Sequence, residues 1–437
     1  MTTKQSTAPT GVSGTDPVYS HARAWGITAT VVVLYVINYS DKAILGIAAK
    51  PLRDELGLTA SQIGLIGSAF FVTFAVGGLL AGPLARRVSM RWLLIAIALS
   101  WSLVMLPTVV AASFGVLLVS RMLLGFFEGP ALAVVCTAIF AWHPMEKRAL
   151  PSACLTASAP LTKILAAPAL AAIVVHWGWR AAFLTLAGLG AAWVLLWLST
   201  WKEGPYGAKA VAAAEAENAD TAPIIKVPWL RIFLTPTFIA ATLAIFSAYA
   251  LSTTVLTWLP SYFEEGLGYS RLTAGSLFGV PSIAGLFFIF STTFIADRMM
   301  AKGTSGRAMR GILPGCTLLV TCMSLLALPF LSTPAQAVAA ITLGYGISNC
   351  VYALFIAGVS QLCPPSQLAG TLGLFTALMS VGGLIAPYLT GVIVDAAETK
   401  ADGYLLAFQI YGVTAGIGGI LAIALINPER DARRVMS

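Results

Sequence analysis

Apolar stretches of about 20 residues recur along the chain, separated by short polar or basic breaks. That length matches the roughly 30 Å a helix must cover to cross a bilayer. Twelve stretches are readable, near residues 24–46, 62–84, 91–111, 114–142, 149–175, 180–201, 232–262, 272–296, 310–331, 334–362, 367–394 and 404–426. Several contain Gly or Pro, which spanning helices tolerate where neighbouring helices satisfy the freed backbone groups. The pattern predicts an all-α membrane protein of twelve transmembrane helices.

Charge placement orients the helices. With both termini cytoplasmic, 18 of the 26 Lys and Arg residues fall in cytoplasmic segments, five on the other side and three inside spans. Such an excess is the positive-inside bias expected of a correct span count. One long polar interruption follows span six. It predicts a cytoplasmic N-terminal tail (1–23), a six-helix bundle (24–201), a cytoplasmic linker (202–231), a second six-helix bundle (232–426) and a cytoplasmic tail (427–437). Basic loops at matching places, Arg86–Arg91 after span two and Arg298–Arg310 after span eight, suggest that the halves are repeats, the plan of many secondary transporters.

Composition excludes other classes. Hydrophobic residues make up 58% and charged residues 10%, against about 45–50% and about 25% in soluble domains. The net charge of +8 is scattered between apolar runs rather than gathered on a basic helix, so no nucleic-acid partner is expected. Six dispersed cysteines read as small buried hydrophobes, and three histidines make a metal site unexpected. The first 23 residues lack a cleavable signal pattern. Neither a phosphate-binding loop nor a nucleophile–base–acid set is recognisable, so an enzyme is not expected, nor a cofactor.

Against this background, five ionisable residues stand out inside spans: Asp41, Lys42, Arg121, Glu128 and Lys163, all in the first half. Such groups cost several kcal/mol at membrane depth and normally face a cavity or one another. Arg121 and Glu128, seven residues apart, share a helix face about 10 Å apart along the axis. Asp41 and Lys42 point about 100° apart, so one can pair with span four while the other lines a cavity. A closed ion-pair network that only locks helices is the structural alternative. Three bases against two acids leave one positive charge in surplus, which favours an anionic ligand. Lys163 either adds a second anchor for that ligand or snorkels along its helix.

The same residues carry a family resemblance. Asn38-Tyr-Ser-Asp41-Lys42 resembles the Asn-Tyr-x-Asp-Arg signature of the anion:cation symporter family, within the major facilitator superfamily. Ser120-Arg121-Met-Leu-Leu-Gly125-Phe-Phe-Glu128-Gly129 resembles that family's fourth helix, and Gly178-Trp-Arg180, Thr257-Trp-Leu-Pro-Ser-Tyr262 and Pro387-Tyr-Leu-Thr-Gly391 also fit. The match runs from about residue 22 to 428. It implies a proton-coupled importer of a small organic anion, with Asp41 and Glu128 as proton sites, Arg121 as substrate or relay cation and Tyr39 in the pocket. The implied partners are that anion, protons and the lipid of a bacterial-type cytoplasmic membrane, with the chain working as a monomer. Relatives in this family handle sugar acids, aromatic carboxylates and sialic or glutamic acid.

Departures qualify the resemblance. Lys42 stands where Arg is usual, exchanging a bidentate fork for a point charge. Arg86 and Ser89 occupy the Asp and Gly positions of the loop after span two. Thr376 and Ser380 replace Asn residues that sugar-acid members often place in span eleven, and with Tyr249, Tyr352 and Phe375 they make a less polar second-half wall. That wall leans toward aromatic or less hydroxylated carboxylates. In the expected cycle Arg121 pairs with Glu128 or Asp41 until a carboxylate competes for it, and the freed acid takes a proton. A proton-coupled exporter of an organic acid or drug on the same fold is the rival reading, although no glycine falls between Gly129 and Gly178 as a glycine-rich fifth helix would require. Coupling to sodium also stays open.

Overall fold

In the computed structural model, the residues described are 20–80, 84, 87–143, 149–202, 204–205, 227–364 and 367–436. Arg86, most of the 202–231 linker and the first 19 residues lie outside them. The spanning helices of the first half are α1 (His21–Leu56), α2 (Ala60–Leu79), α3 (Met90–Val110) and α4 (Phe114–Phe140), followed by one helical stretch over Leu150–Thr200. At 51 residues that stretch would reach about 76 Å, more than twice the hydrocarbon thickness. It breaks at Gly178, whose φ of 83° and ψ of 167° leave the helical region. A positive φ is accessible to glycine without Cβ strain. The break divides the stretch into α5 (150–177) and α6 (179–200).

The second half contains α7 (Pro236–Gly266), α8 (Arg271–Ala301), α9 (Ala308–Leu326), α10 (Pro334–Val359), α11 (Gly370–Ala396) and α12 (Lys400–Leu425). The described residues therefore hold twelve spanning lengths, and an even number of crossings brings the start of α1 and the close of α12 to one end. Helix starts are written in the sequence. Thr59 with Gln62 and Thr333 with Gln336 form capping boxes, and Ser113, Thr235, Ser270 and Thr399 cap through their hydroxyls. Helix α1 overruns its apolar stretch by ten residues, and Lys50, Arg53 and Glu55 ride on the extension. Residues 428–436, expected as a tail, form a short helix docked on the second half, where Asp431 Oδ2 accepts from Thr237 N at 3.0 Å.

Many of the hydrogen bonds and ion pairs that join the halves among the described residues cluster at the end where α1 closes. Asp395 at the close of α11 accepts from Ala60 N (2.9 Å), Ser61 N (2.6 Å) and Ser61 Oγ (2.6 Å), so it caps α2 from the other half. Orphan N–H groups and the positive end of the helix dipole favour a carboxylate there. Lys50 pairs with Glu264 at 3.3 Å and Arg53 with Glu265 at 3.0 Å. Helices α2 and α11 meet backbone to backbone: a Cβ at Gly64 would collide with the Pro387 carbonyl, and one at Gly391 with that of Ala60.

Removing the cap should loosen this end. Asp395→Ala deletes the three hydrogen bonds accepted from α2 and is expected to cost about 1–2 kcal/mol. Spin labels at positions 55 and 398 should then report a longer, broader distance distribution than in the unmodified protein. An unchanged distribution would show that the cap does not hold the halves together.

Candidate functional site

Helix periodicity decides which way the α1 side chains face. Asn38 and Lys42 are one turn apart, and Lys42 Nζ donates to Asn38 Oδ1 at 2.5 Å. The same ammonium lies 2.6 Å from Glu128 Oε2 on α4. The contact is an ion pair that ties α1 to α4. Three rings surround the ammonium: Tyr39 at 4.8 Å, Phe70 at 5.7 Å and Phe74 at 5.7 Å from their centroids. A cation over aromatic faces gains about 0.5–2 kcal/mol per ring according to how dry it is.

One position earlier on α1, Asp41 points elsewhere, as adjacent helical residues must. Its backbone carbonyl accepts from Arg121 Nη1 at 2.5 Å, so Arg121 and Glu128 fasten α4 to α1 at two levels. Arg121 does not take the carboxylate pairing expected of it. Among the described residues no carboxylate oxygen lies within 4.0 Å of its guanidinium, and Nη2 has no hydrogen-bond partner. Asp41 Oδ1 is likewise without one. Relative exposures of 1% for Asp41, 4% for Arg121 and 1% for Glu128 put all three beyond ready solvation.

The guanidinium has room beside it. Of two small cavities beside it, the larger is bordered by Lys42, Phe70, Phe71, Arg121 and Thr257 and the other by Thr108, Ser120, Arg121 and Phe183. Helices α1, α2 and α4 build one wall of the larger cavity and α7 the other. Arg121 borders both.

Lys163 occupies a separate place. It lies in a π-helical turn of α5, Thr162–Ala166, the widened geometry often met at functional sites. Thr162 Oγ1 ties that turn to α1 through the Val36 carbonyl at 3.0 Å. The Lys163 ammonium donates to Tyr345 Oη on α10 at 2.8 Å, which is inward packing rather than snorkelling toward a headgroup layer.

The remaining sequence candidates divide. Tyr39 is in electrostatic reach of Glu128 and Tyr345, and Tyr352 of Tyr39, Tyr249 and Tyr345, so these four tyrosines share one neighbourhood. Tyr249 also meets Phe71 edge-on at 6.1 Å, and Tyr352 exchanges a hydrogen bond with Ser252 at 2.9 Å. Phe375 is fully buried in a distinct core cluster of the second half, 6.0 Å from Phe238. The Thr376 and Ser380 hydroxyls turn back to carbonyls of their own helix, Leu372 and Thr376. Reasoning from sequence passed over Tyr345 and Asn38. Asn38 stood in the quoted motif, and Tyr345 was marked only by a hydroxyl within an apolar span.

The Major Facilitator Superfamily model matches residues 31–357. A hexuronate transporter of Bacillus subtilis is 29% identical over 402 residues, covering 90% of this chain and 92% of that protein. A probable sulfoacetate transporter of Cupriavidus necator is 29% identical over 417 residues, covering 92% and 93%. A probable L-galactonate transporter of Escherichia coli is 24% identical over 411 residues, covering 91% and 88%. Among solved structures, a bacterial homologue of the lysosomal transporter Spinster superposes with a TM-score of 0.76 at 17% identity, covering 95% of this chain and 98% of that one. A D-xylose-proton symporter superposes with 0.75 at 15% identity, covering 93% and 99%.

The ion pair carries a stability prediction. Lys42→Met alone strands the Glu128 carboxylate at membrane depth and should cost about 3–5 kcal/mol. Adding Glu128→Gln should recover most of that loss in denaturant unfolding of the detergent-solubilised protein. Additive costs would mean that the two groups do not act as a pair.

Proposed function

The chain belongs to the Major Facilitator Superfamily, and from that premise we propose that it moves a small organic anion across a bacterial-type cytoplasmic membrane together with protons. It is a multi-pass membrane transporter and not an enzyme. The observation that carries the anion reading is Arg121: a 96% buried guanidinium with one nitrogen unpartnered, bordering two cavities. A cation held there without a carboxylate partner is poorly compensated, and an incoming acid group supplies what is missing. Relatives named for hexuronate, sulfoacetate and L-galactonate, all anions, point the same way.

Proton coupling follows from the neighbours. Asp41 stands in the field of Arg121 and Lys42. A substrate carboxylate on Arg121 withdraws that support, and a desolvated acid without its cation gains proton affinity. Asp41, whose Oδ1 has no hydrogen bond, takes the first proton. Glu128 takes the second when Lys42 leaves it. Two protons with a monoanion move one net positive charge, worth about 2.3 kcal/mol per 100 mV of membrane potential. Rocking of the halves then exposes the loaded site to each side in turn. The contacts gathered at the end where α1 closes support one of the two closed arrangements such a cycle needs.

The test is uptake into proteoliposomes with gluconate and benzoate as labelled probes. Arg121→Gln should abolish binding. Asp41→Asn and Glu128→Gln should abolish uptake driven by a proton gradient while leaving exchange of labelled for unlabelled anion at half or more of its rate. Full proton-driven uptake in both carboxylate variants would overturn the coupling scheme, and uptake driven by a sodium gradient alone would replace the ion.

A further inference from the structure

Beyond that scheme, one buried charge has no role. Lys42 pairs with Glu128, and Arg121 is held by the Asp41 carbonyl. Lys163 is the base left over when the three bases in the spans are set against the two acids. Its relative exposure is 8%, and among the described residues no carboxylate oxygen lies within 4.0 Å of it. What surrounds the ammonium is one neutral oxygen, Tyr345 Oη at 2.8 Å, and two ring faces, Tyr345 at 4.9 Å and Phe278 at 5.7 Å. Aromatic faces ease the burial of a cation but do not neutralise it.

The surroundings are also short of acceptors. An ammonium has three N–H donors, and one is engaged by Tyr345. The Tyr345 hydroxyl accepts that bond, so its own O–H is still to be placed, and no acceptor for it is found among the described residues. A charged donor and a neutral donor thus lie 2.8 Å apart, a combination suited to a carboxylate or sulfonate. The spot and the Arg121 site both sit against α1. Tyr39 lies under Lys42 on one side and within electrostatic reach of Tyr345 on the other. The π-turn carrying Lys163 is bonded to α1 five residues before Asp41.

We propose that Lys163 and Tyr345 form a second anion subsite, so that the preferred substrate carries two acidic groups, one held by Arg121 and the other by Lys163 with Tyr345. This rests on the organic-anion reading and narrows it to diacids, whether dicarboxylates or sulfocarboxylates. A monoacid on Arg121 with Asp41 protonated leaves Lys163 uncompensated. A diacid in the same state neutralises every buried cation. Lys163 belongs to the first half and Tyr345 to the second, so the second acid group is gripped by both only while the halves meet there. The backbone is packed for that meeting, since a Cβ on Gly279 of α8 would fall 2.7 Å from the Lys163 carbonyl.

The experiment compares matched acids on the purified full-length protein by titration calorimetry at pH 7. Gluconate and glucarate share a six-carbon polyol chain and differ by one carboxylate; benzoate and isophthalate do the same on a ring. The unmodified protein should bind at least one diacid about tenfold more tightly than its matched monoacid. Lys163→Gln should erase that preference while holding the monoacid within about twofold, and Lys163→Arg should keep most of it. Should Lys163→Gln fail to fold, Tyr345→Phe, which removes only the hydroxyl, should weaken diacids severalfold and spare monoacids. Equal affinity for both members of each pair, or equal weakening of both by Lys163→Gln, overturns the second subsite. Binding that is indifferent to Arg121→Gln, or no binding of any of the four acids, overturns the organic-anion reading and this proposal with it; normal dependence on Arg121 without a diacid preference overturns this proposal alone.

Discussion

Burying ionised side chains at membrane depth costs several kcal/mol each unless something nearby compensates them, and that cost organises the centre of this molecule. Lys42 and Glu128 meet it by pairing at 2.6 Å, with three aromatic rings around the ammonium. Arg121 meets it only in part, through the Asp41 carbonyl. One nitrogen of the guanidinium and one oxygen of the Asp41 carboxylate are left without hydrogen bonds. A site in which some charges are settled and others are not is poised to bind an ion of the missing sign.

The same helices that hold these groups also join the halves. Helix α1 carries Asp41 and Lys42 at mid-length and, on its extension, Lys50 and Arg53, which pair with Glu264 and Glu265 of α7. Helix α2 supplies Phe70 and Phe71 to the cavity and, at its start, the amides capped by Asp395 of α11. Two helices thus run from the joined end to the charged centre, the continuity that the proposed rocking of the halves requires.

Much of this was legible in the sequence. The twelve apolar lengths and the confinement of charge at membrane depth to the first half could be read, because lipid thickness and charge burial act on single residues. Pairing was harder to read. Adjacency of Asp41 and Lys42 requires that they diverge, but whether Lys42 or Arg121 meets Glu128 depends on the helix separation, which no spacing encodes. Phe375 looked like a lining residue by its type and proved to belong to another core. Tyr345 escaped notice because its role comes from Lys163, 182 positions away in the chain. The start of α2 and the close of α11, more than three hundred residues apart, likewise announced nothing of their contact.

The central claim is that an anion on Arg121 drives a proton onto Asp41. It is tested most directly by following the pH of a weakly buffered solution of purified protein while a fully ionised organic acid is added at pH 7. The solution should turn more alkaline as binding saturates, with the amplitude lost in Asp41→Asn although the anion still binds. Saturable binding with no change in pH would contradict it.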